Sequence, residues 1–278
     1  MIVVIFGGTG TLGAELSKIL KKEKDCKVHV VSRCELRQKE HAKEFGFNYT
    51  LGDVSNSQWR SQLPDVADYV INLAASKHVE VCEENVEYCV KVNYEGVVNT
   101  YNYAREVGAK YLFTTTDKAV RPINAYGMAK GLAERFLADK KDAKIYLWGN
   151  VLGSRGSVFH LFKDQVKKGT VTITDKRMSR FWLKIEDVAK FMWKNRDSDE
   201  KKLIPTMKSA SLVDIANAIA HLHGCKKPKF KEIGFRAGEK LNEEIIYNAF
   251  DDESLLNSSN AKKFTKAELT EFIAGVLS

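Results

Sequence analysis

The chain has 278 residues, 44% hydrophobic and 29% charged, which supports one large domain or a domain with a smaller lobe and excludes a largely disordered protein. Its formal net charge is +8, but the lysines lie in scattered doublets without interleaved aromatic residues, which argues against a nucleic-acid partner. The five cysteines are odd in number and form no Cys-x-x-Cys pair, which argues against a disulfide framework or a metal site and favours reduced thiols in the cytoplasm.

The first predicted strand and the turn after it indicate a dinucleotide site. Residues 2–6 read IVVIF, an apolar run typical of a strand buried on both faces of a parallel sheet. GGTGTLG follows, ahead of a helical pattern, and fits both G-x-G-x-x-G and G-x-x-G-x-x-G. Such glycines let a pyrophosphate approach the N-terminus of a helix closely. The predicted contacts are Gly7, Gly8, Thr9, Gly10, Thr11, Leu12 and Gly13.

The end of the second predicted strand, residues 28–32, bears on the choice of dinucleotide. Proteins that bind NAD usually carry an acid here for the ribose hydroxyls, whereas this chain has Arg33 with Arg37 nearby. Guanidinium groups suit a 2′-phosphate, so the pattern favours NADP, although the acid Glu35 keeps NAD open. The predicted cofactor-binding residues of this segment are Ser32, Arg33, Glu35, Leu36 and Arg37.

Two further strands are predicted at the start of residues 49–56 and over residues 68–75. The first ends in Asp53 and Val54, where Asp53 either hydrogen-bonds the adenine or caps the next helix. Small residues at the end of the second, including Ala74, let a cofactor pass close to the backbone. In the helical pattern that continues to about residue 105, we predict that Cys82 and Cys89 pack in the core.

The fifth predicted strand, residues 109–116, leads into the stretch that carries the chemistry. If residues 125–137 are helical, Tyr126 and Lys130 lie one turn apart on one face, and a cation favours the phenolate. Alone, such a pair is more often a solvated helix face. Ligands of open parallel sheets gather at the carboxyl ends of the strands, so Thr116, Asp117 and Lys118 are also catalytic candidates. A hydroxyl, a phenol and an ammonium together suit hydride chemistry at a sugar carbon beside a nicotinamide.

Strand and helix signals alternate up to a sixth strand that opens at residue 144. This alternation predicts an α/β fold, a Rossmann-like doubly wound parallel sheet with a smaller C-terminal substrate lobe. We predict an NADP-binding domain of residues 1–157, to which 179–205 return, and a substrate-binding lobe of 158–178 and 206–278. Because the first strand begins at residue 2 and no apolar run approaches membrane-spanning length, we expect neither a signal peptide nor a membrane segment.

From residue 1 to about 247 the chain resembles the inverting, 5-epimerising UDP-N-acetylglucosamine 4,6-dehydratases, a branch of the extended short-chain dehydrogenase/reductases. The most specific matching runs are TTDKAVRPINAYGMAK, GNVLGSRGS and TITDKRMSRFW. The resemblance implies a lyase of polysaccharide biosynthesis that uses NADP, acts on UDP-N-acetylglucosamine, holds no metal and forms a cytoplasmic homo-oligomer. Leu147-Trp148 stand where the family usually has Arg-Tyr, and Glu84 is an extra acid, so the sugar specificity is less firmly implied.

The resemblance also implies a role for each candidate residue. Tyr126, Lys130 and Thr116 would oxidise C4 of the sugar, Lys118 would remove the proton at C5, and Asp117 would help the C6 hydroxyl to leave. Hydride would then return to C6, and protonation of C5 on the other face would invert it. The implied substrate contacts are Lys77, Asn150, Val158, Arg180, Arg236 and Glu239, with the two arginines on the diphosphate.

Three alternatives follow from the same residues. A nucleotide-sugar 4-epimerase or reductase shares the Tyr126–Lys130 pair but has no use for Asp117 and Lys118. A regulatory protein that senses NADP on this fold typically lacks the Tyr–Lys pair, which ranks that alternative last. A mere surface salt bridge between Asp117 and Lys118 would also explain that pair, but we expect side-by-side pairing of adjacent residues to be awkward.

Overall fold

The structure, a computed structural model, describes residues 1–246 and 255–277. It divides into two compact units, the first made of Met1–Leu147 and Val188–Ile204, the second of Trp148–Asp187 and Pro205–Ser278. The predicted substrate lobe therefore includes residues 247–254 and 278, which lie outside the described residues.

The first unit is built on a seven-stranded parallel sheet, which confirms the predicted fold class. Its strands, numbered along the chain, are β1 (Ile2–Phe6), β2 (Lys27–Ser32), β3 (Asn48–Leu51), β4 (Tyr69–Asn72), β5 (Lys110–Thr116), β6 (Ala143–Trp148) and β10 (Lys202–Leu203). Their order in the sheet is β10-β6-β5-β4-β1-β2-β3, so the direction of winding reverses between β1 and β4. In such sheets ligands bind at this reversal, beyond the carboxyl ends of the strands.

Helices complete the first unit. They are α1 (Thr11–Leu20), α2 (Glu35–Phe45), α3 (Val79–Glu84), α4 (Val86–Val90), α5 (Gly96–Glu106), α6 (Ala125–Leu137) and α8 (Ile185–Lys194), which belongs to this unit from Val188 onward. A π-helical segment, Lys91–Glu95, joins α4 to α5, and single 3-10 turns cover Arg60–Gln62 and Asp117–Ala119. Val3 to Phe6 are fully buried, as the continuous apolar run predicted for a strand covered on both faces.

The second unit has a three-stranded sheet in the order β11-β9-β7 and two smaller sheets. Its strands are β7 (Asn150–Leu152), β8 (Thr170–Ile173), β9 (Ser179–Lys184), β11 (Lys208–Ser211), β12 (Lys229–Glu232), β13 (Glu244–Ile246) and β14 (Leu255–Asn257), and its helices are α7 (Val158–Lys167), α9 (Leu212–Leu222) and α10 (Lys266–Leu277). Phe159 and Phe162 of α7, Ile215 and Ile219 of α9 and Ile273 of α10 form its core.

The units divide the chain differently from the predicted domains. Residues 148–157, 179–187 and 205 were assigned to the nucleotide-binding domain, and the structure groups them with the second unit. The reason is strand pairing: β9 pairs with β7 and β11 and contributes nothing to the seven-stranded sheet. None of the helices in the described part of the chain is both long and apolar enough to cross a membrane.

Candidate active site

The turn between β1 and α1 is packed too closely for side chains. A Cβ atom on Gly13 would lie 2.1 Å from the carbonyl oxygen of Gly8, and one on Gly7, where φ is +79°, would lie 2.7 Å from the nitrogen of Ala74. Gly10 is the N-cap of α1 and offers no side chain to its amides. The first turn of α1 also carries no acidic residue. Its backbone N–H groups can therefore donate hydrogen bonds to an anion bound at the helix N-terminus.

The other predicted residues of this turn are placed as follows. Thr9 is buried, and Thr11 and Leu12 open α1. Ala74 follows β4 and donates its backbone N–H to the amide oxygen of Asn72 at 3.0 Å. The buried Asn72 in turn donates to the hydroxyls of Thr100 and Tyr111 at 2.9 and 3.1 Å, so the backbone facing the glycines is held from behind.

Arg33 directly follows β2 and is the first of the two arginines predicted to contact the cofactor there. Its side chain is 49% exposed, and Nη1 donates to Asp53 Oδ2 at 3.3 Å and to the hydroxyl of Tyr88. The guanidinium carbon lies 5.8 Å from the centre of the Tyr88 ring. Sequence reasoning missed Tyr88, because it lies 55 residues from Arg33 and no local pattern connects them. Ser32 is buried at the end of β2, and Glu35, Leu36 and Arg37 are exposed at the start of α2.

Asp53 caps a turn and not a helix. Its Oδ1 accepts from the backbone N–H of Ser55 at 2.9 Å, and its carbonyl accepts from the indole of Trp59 at 2.9 Å. The predicted alternative of a helix cap is therefore wrong, since the chain makes a turn here before the 3-10 segment at Arg60. Val54 is buried, and its carbonyl accepts from the side chain of Asn99 at 2.9 Å.

Helix α6 places Tyr126 and Lys130 on its buried face, one turn apart as predicted. Asn124 caps the helix by accepting from the N–H of Gly127 at 2.7 Å. The exposed fractions of Tyr126 and Lys130 are only 8% and 2%. The Lys130 ammonium donates to the carbonyl oxygen of Thr114 at 2.8 Å and lies 4.4 Å from the ring centre of Phe113. This ammonium is therefore seated against the end of β5.

The residues that follow β5 form a compact polar group. Thr116 Oγ1 donates to Asp117 Oδ1 at 3.1 Å, and the Lys118 ammonium donates to the same oxygen at 3.0 Å. Asp117 is fully buried, whereas the Lys118 side chain is 20% exposed. The expectation that adjacent residues pair awkwardly is wrong. The 3-10 turn that starts at Asp117 bends the backbone, and the long lysine side chain reaches back to its neighbour.

Burial sets the protonation of the two buried groups on α6. It raises the pKa of Tyr126, and this rise is opposed first by the Lys118 ammonium and also by a hydrogen bond between Tyr126 and Thr116. Burial likewise lowers the pKa of Lys130 to about 7, opposed first by the carboxylate of Glu134. The site therefore joins Thr116, Tyr126, Asp117 and Lys118 through contacts and charge, with Lys130 behind them.

The π-helical segment supports the site through Asn93. Its Nδ2 donates to the carbonyl of Ser76 at 2.9 Å, and its Oδ1 accepts from the N–H of Ser76 at 3.0 Å. This two-way hold fixes the backbone immediately before Lys77. Cys82 and Cys89 are buried in one cluster with Tyr126, as predicted for core packing, and Cys82 donates to the Ser76 carbonyl at 3.3 Å.

The predicted substrate residues of the second unit lie at element ends and in one loop. Asn150 begins β7 and Val158 begins α7. Arg180 on β9 is buried, and its guanidinium donates to the carbonyls of Ser179, Lys240 and Leu241 at 2.7 to 2.9 Å. In the loop between β12 and β13, Glu239 Oε2 accepts from the N–H of Arg236 at 3.2 Å and from Thr174 Oγ1 at 3.0 Å.

Comparison with known proteins places this arrangement in a family. The family described as "Polysaccharide biosynthesis protein" matches residues 3–266. The chain belongs to this family. A relative from Campylobacter jejuni, UDP-N-acetylglucosamine 4,6-dehydratase (inverting), is 37% identical over 91% of this chain and 79% of its own length. A second relative, UDP-glucose 4-epimerase from Rickettsia akari, is 34% identical over 88% of this chain and 77% of its own.

A solved structure resembles this chain over nearly all of its length. The X-ray structure of Pen from Bacillus thuringiensis is 29% identical to it, with a TM-score of 0.88, and the match covers 99% of this chain and 97% of that one. Within residues 1–246 and 255–277, no three His, Cys, Asp or Glu side chains are grouped so that they could hold a metal ion.

Proposed function

We propose that this protein is a configuration-inverting UDP-N-acetylglucosamine 4,6-dehydratase that forms a UDP-4-keto-6-deoxy-L-hexosamine. The observation that carries the proposal is the hydrogen-bonded group of Thr116, Asp117 and Lys118 beside the phenol of Tyr126. Oxidation at C4 needs one base, and elimination across C5 and C6 needs a second base and an acid. The 37% identity to the Campylobacter relative that bears this name supports the same reaction.

We infer that the first unit binds NADP. The glycines let the turn pack closely against the start of α1, which is the geometry that brings a diphosphate to a helix N-terminus, and Arg33 offers a half-exposed guanidinium near the place of the adenosine ribose. When bound, a nicotinamide dinucleotide supplies the acceptor for the C4 hydride and the donor of hydride to C6. Arg33 is also tied to Asp53 and Tyr88, which orient it.

Tyr126 is the proposed base at C4. Its phenolate removes the proton of the C4 hydroxyl, and Thr116 hydrogen-bonds the same oxygen and holds it in line. Because burial raises the pKa of Tyr126, nearby cations have to favour the phenolate. Lys118 opposes the rise most strongly in the structure, and the proposed role of the buried Lys130 is to add to it from the same helix face.

Lys118 and Asp117 are the proposed base and acid of the elimination. Lys118 takes the proton from C5, which the 4-keto group acidifies, and Asp117 gives a proton to the C6 hydroxyl so that it leaves as water. The hydrogen bond of 3.0 Å lets one proton move between the two side chains. Transfer of one proton from Lys118 to Asp117 converts the ion pair into a neutral amine and a neutral acid, the forms in which the two side chains act as base and acid.

We further infer that the nucleotide-sugar contacts Lys77, Asn150, Val158, Arg180, Arg236 and Glu239. Support comes from the polar loop around Arg236 and Glu239, with Arg236 as the guanidinium for the diphosphate, whereas the buried Arg180 donates to three backbone carbonyls and holds that part of the second unit in place. Five free thiols support a reducing compartment, the cytoplasm.

A nucleotide-sugar 4-epimerase is the second candidate, favoured by the 34% identity to the Rickettsia relative of that name. Incubation with UDP-N-acetylglucosamine in heavy water, followed by proton NMR, separates the two. A C6 methyl signal with deuterium at C5 supports the dehydratase. A product inverted only at C4, with its C6 hydroxymethyl group and C5 proton intact, would show an epimerase instead.

A further inference from the structure

Helix α6 carries a third charged residue in register with Tyr126 and Lys130. Glu134 follows Lys130 by four residues, as Lys130 follows Tyr126, so the three side chains lie along one face of the helix. The Glu134 side chain is 15% exposed. Neither the sequence motif nor the proposed chemistry uses it.

The Glu134 carboxylate is held at both oxygens. Thr115 Oγ1 donates to Oε1 at 2.7 Å, and the Lys202 ammonium on β10 donates to Oε2 at 2.7 Å. Thr115 is the neighbour of Thr114, whose carbonyl accepts from the Lys130 ammonium at 2.8 Å. Two consecutive residues of β5 therefore hold two consecutive turns of α6.

The surroundings of Lys130 leave Glu134 as the main group that favours its charge. Burial drives the pKa of Lys130 down to about 7, and Glu134 is the first group to oppose this, followed by Cys89 from α4. Among the charged groups of the elements packed against α6, Asp117 and Lys118 act on Tyr126, Glu83 of α3 accepts from the N–H of Ala125, and Lys91, Glu95, Arg105 and Glu106 are exposed.

We propose that Glu134 is a positioning residue of this site, whose carboxylate, one helical turn beyond Lys130 on the same face of α6, favours the charged form of Lys130 at the end of β5. The inference rests on the proposed use of Tyr126 and Lys130 at C4. Without this carboxylate, Lys130 gives up its proton at lower pH, and the neutral amine no longer favours the Tyr126 phenolate.

The test is an NMR titration of the Lys130 side-chain amine in the cofactor-loaded protein, with the signal assigned by its loss in Lys130→Arg. In Glu134→Gln, which keeps the shape and removes the charge, the titration midpoint should fall by about one pH unit. Thr115→Val removes a contact and keeps the charge, so the midpoint should stay in place. Lys202→Met removes a competing cation, so the midpoint should stay or rise.

Turnover against pH gives the matching kinetic readout, because the alkaline loss of kcat should move to lower pH in Glu134→Gln alone. An unchanged Lys130 midpoint in Glu134→Gln overturns the proposal. An equal fall of the Lys130 midpoint in all three variants also overturns it, since the packing of α6 against the sheet, and not the charge of Glu134, would then determine the midpoint. If Glu134→Gln does not fold, Lys202→Met provides the test. A lower titration midpoint of Lys130 in Lys202→Met contradicts the proposal, and an unchanged or higher midpoint supports it. The titration requires no substrate, so it reads the Glu134 effect even if the dehydratase reaction is absent.

Discussion

Replacing Lys118 by Met separates the proposed dehydratase from the other enzymes of this fold. The change keeps much of the side chain's length and removes the amine that is proposed to deprotonate C5. Tyr126 and Lys130 are retained, so oxidation at C4 remains possible, but it should slow because Lys118 is the cation that most strongly opposes the rise in the pKa of Tyr126. Elimination should stall, because the C5 proton has no acceptor, and reduced cofactor should accumulate without 6-deoxy product.

The expected loss of rate follows from the proposed role of Lys118 as a base, and the expected loss of stability follows from its hydrogen bond to Asp117. A positioned general base contributes about 100- to 10,000-fold to a rate, so product formation should fall by that factor. The variant also loses the 3.0 Å hydrogen bond to the buried Asp117, which costs about 1.5–3 kcal/mol of stability for a bond to a charged group. Asp117 keeps its bond from Thr116, so the protein should still fold.

The assay combines near-ultraviolet absorbance of reduced nicotinamide with NMR detection of the C6 methyl group. Lys118→Arg is the matched control, because arginine keeps a cation beside Asp117 but cannot be deprotonated. It should stall elimination as Lys118→Met does, with a smaller loss of stability. Cofactor content is measured first. If Lys118→Met retains its cofactor and makes the inverted product at the original rate, Lys118 is not the base and another residue deprotonates C5.

Three further predictions concern the cofactor and the buried pair on α6. Tyr126→Phe should abolish oxidation at C4, seen as no reduced nicotinamide and no product, while the loss of one hydroxyl lowers the free energy of unfolding by only about 1 kcal/mol; turnover at the original rate would remove Tyr126 from the mechanism. Arg33→Asp should weaken binding of NADP far more than that of NAD in fluorescence titrations, because it replaces the cation at the end of β2 by an acid; equal affinity of the unmodified protein for the two dinucleotides would falsify the NADP assignment. The folded-state pKa of Lys130, about 7, lies below its ordinary 10.5, so the folded protein binds fewer protons between these values and its free energy of unfolding should rise with pH across that window. Urea unfolding at several pH values should show this slope in the unmodified protein and a flatter profile in Lys130→Met, and identical profiles would contradict the lowered pKa of the buried Lys130.

The sequence predicted the parts of the site that depend on local geometry. The glycine spacing predicted the close turn after β1, and the spacing of Tyr126 and Lys130 predicted their shared face on α6, because both follow from the repeat of a strand or a helix. Contacts between distant segments could not be predicted in this way. Tyr88 on Arg33 and Lys202 on Glu134 each join residues more than 50 positions apart, and only the order of the strands brings them together.

The domain boundary shows the same limit at a larger scale. Residues 179–205 were predicted to return to the nucleotide-binding domain, and the first part of that segment is the strand β9. Pairing decided otherwise, since β9 lies between β7 and β11. The return to the first unit occurs only at Val188, within α8. A strand's partner depends on long-range register, which a single sequence carries only weakly.

The Asp117–Lys118 pair is the strongest structural argument for elimination over simple epimerisation. Asp117 is fully buried, and burying a carboxylate is costly even when it is paired. An enzyme that moves hydride only at C4 has no use for a second acid and base at the end of β5, and an apolar residue there would spare the cost. A dehydratase needs two proton transfers at adjacent carbons, and a 3.0 Å hydrogen bond between base and acid lets the proton gained by Lys118 restore the one lost by Asp117. The adjacency that made the pair look awkward in sequence is, on this reasoning, what allows one proton to serve both steps.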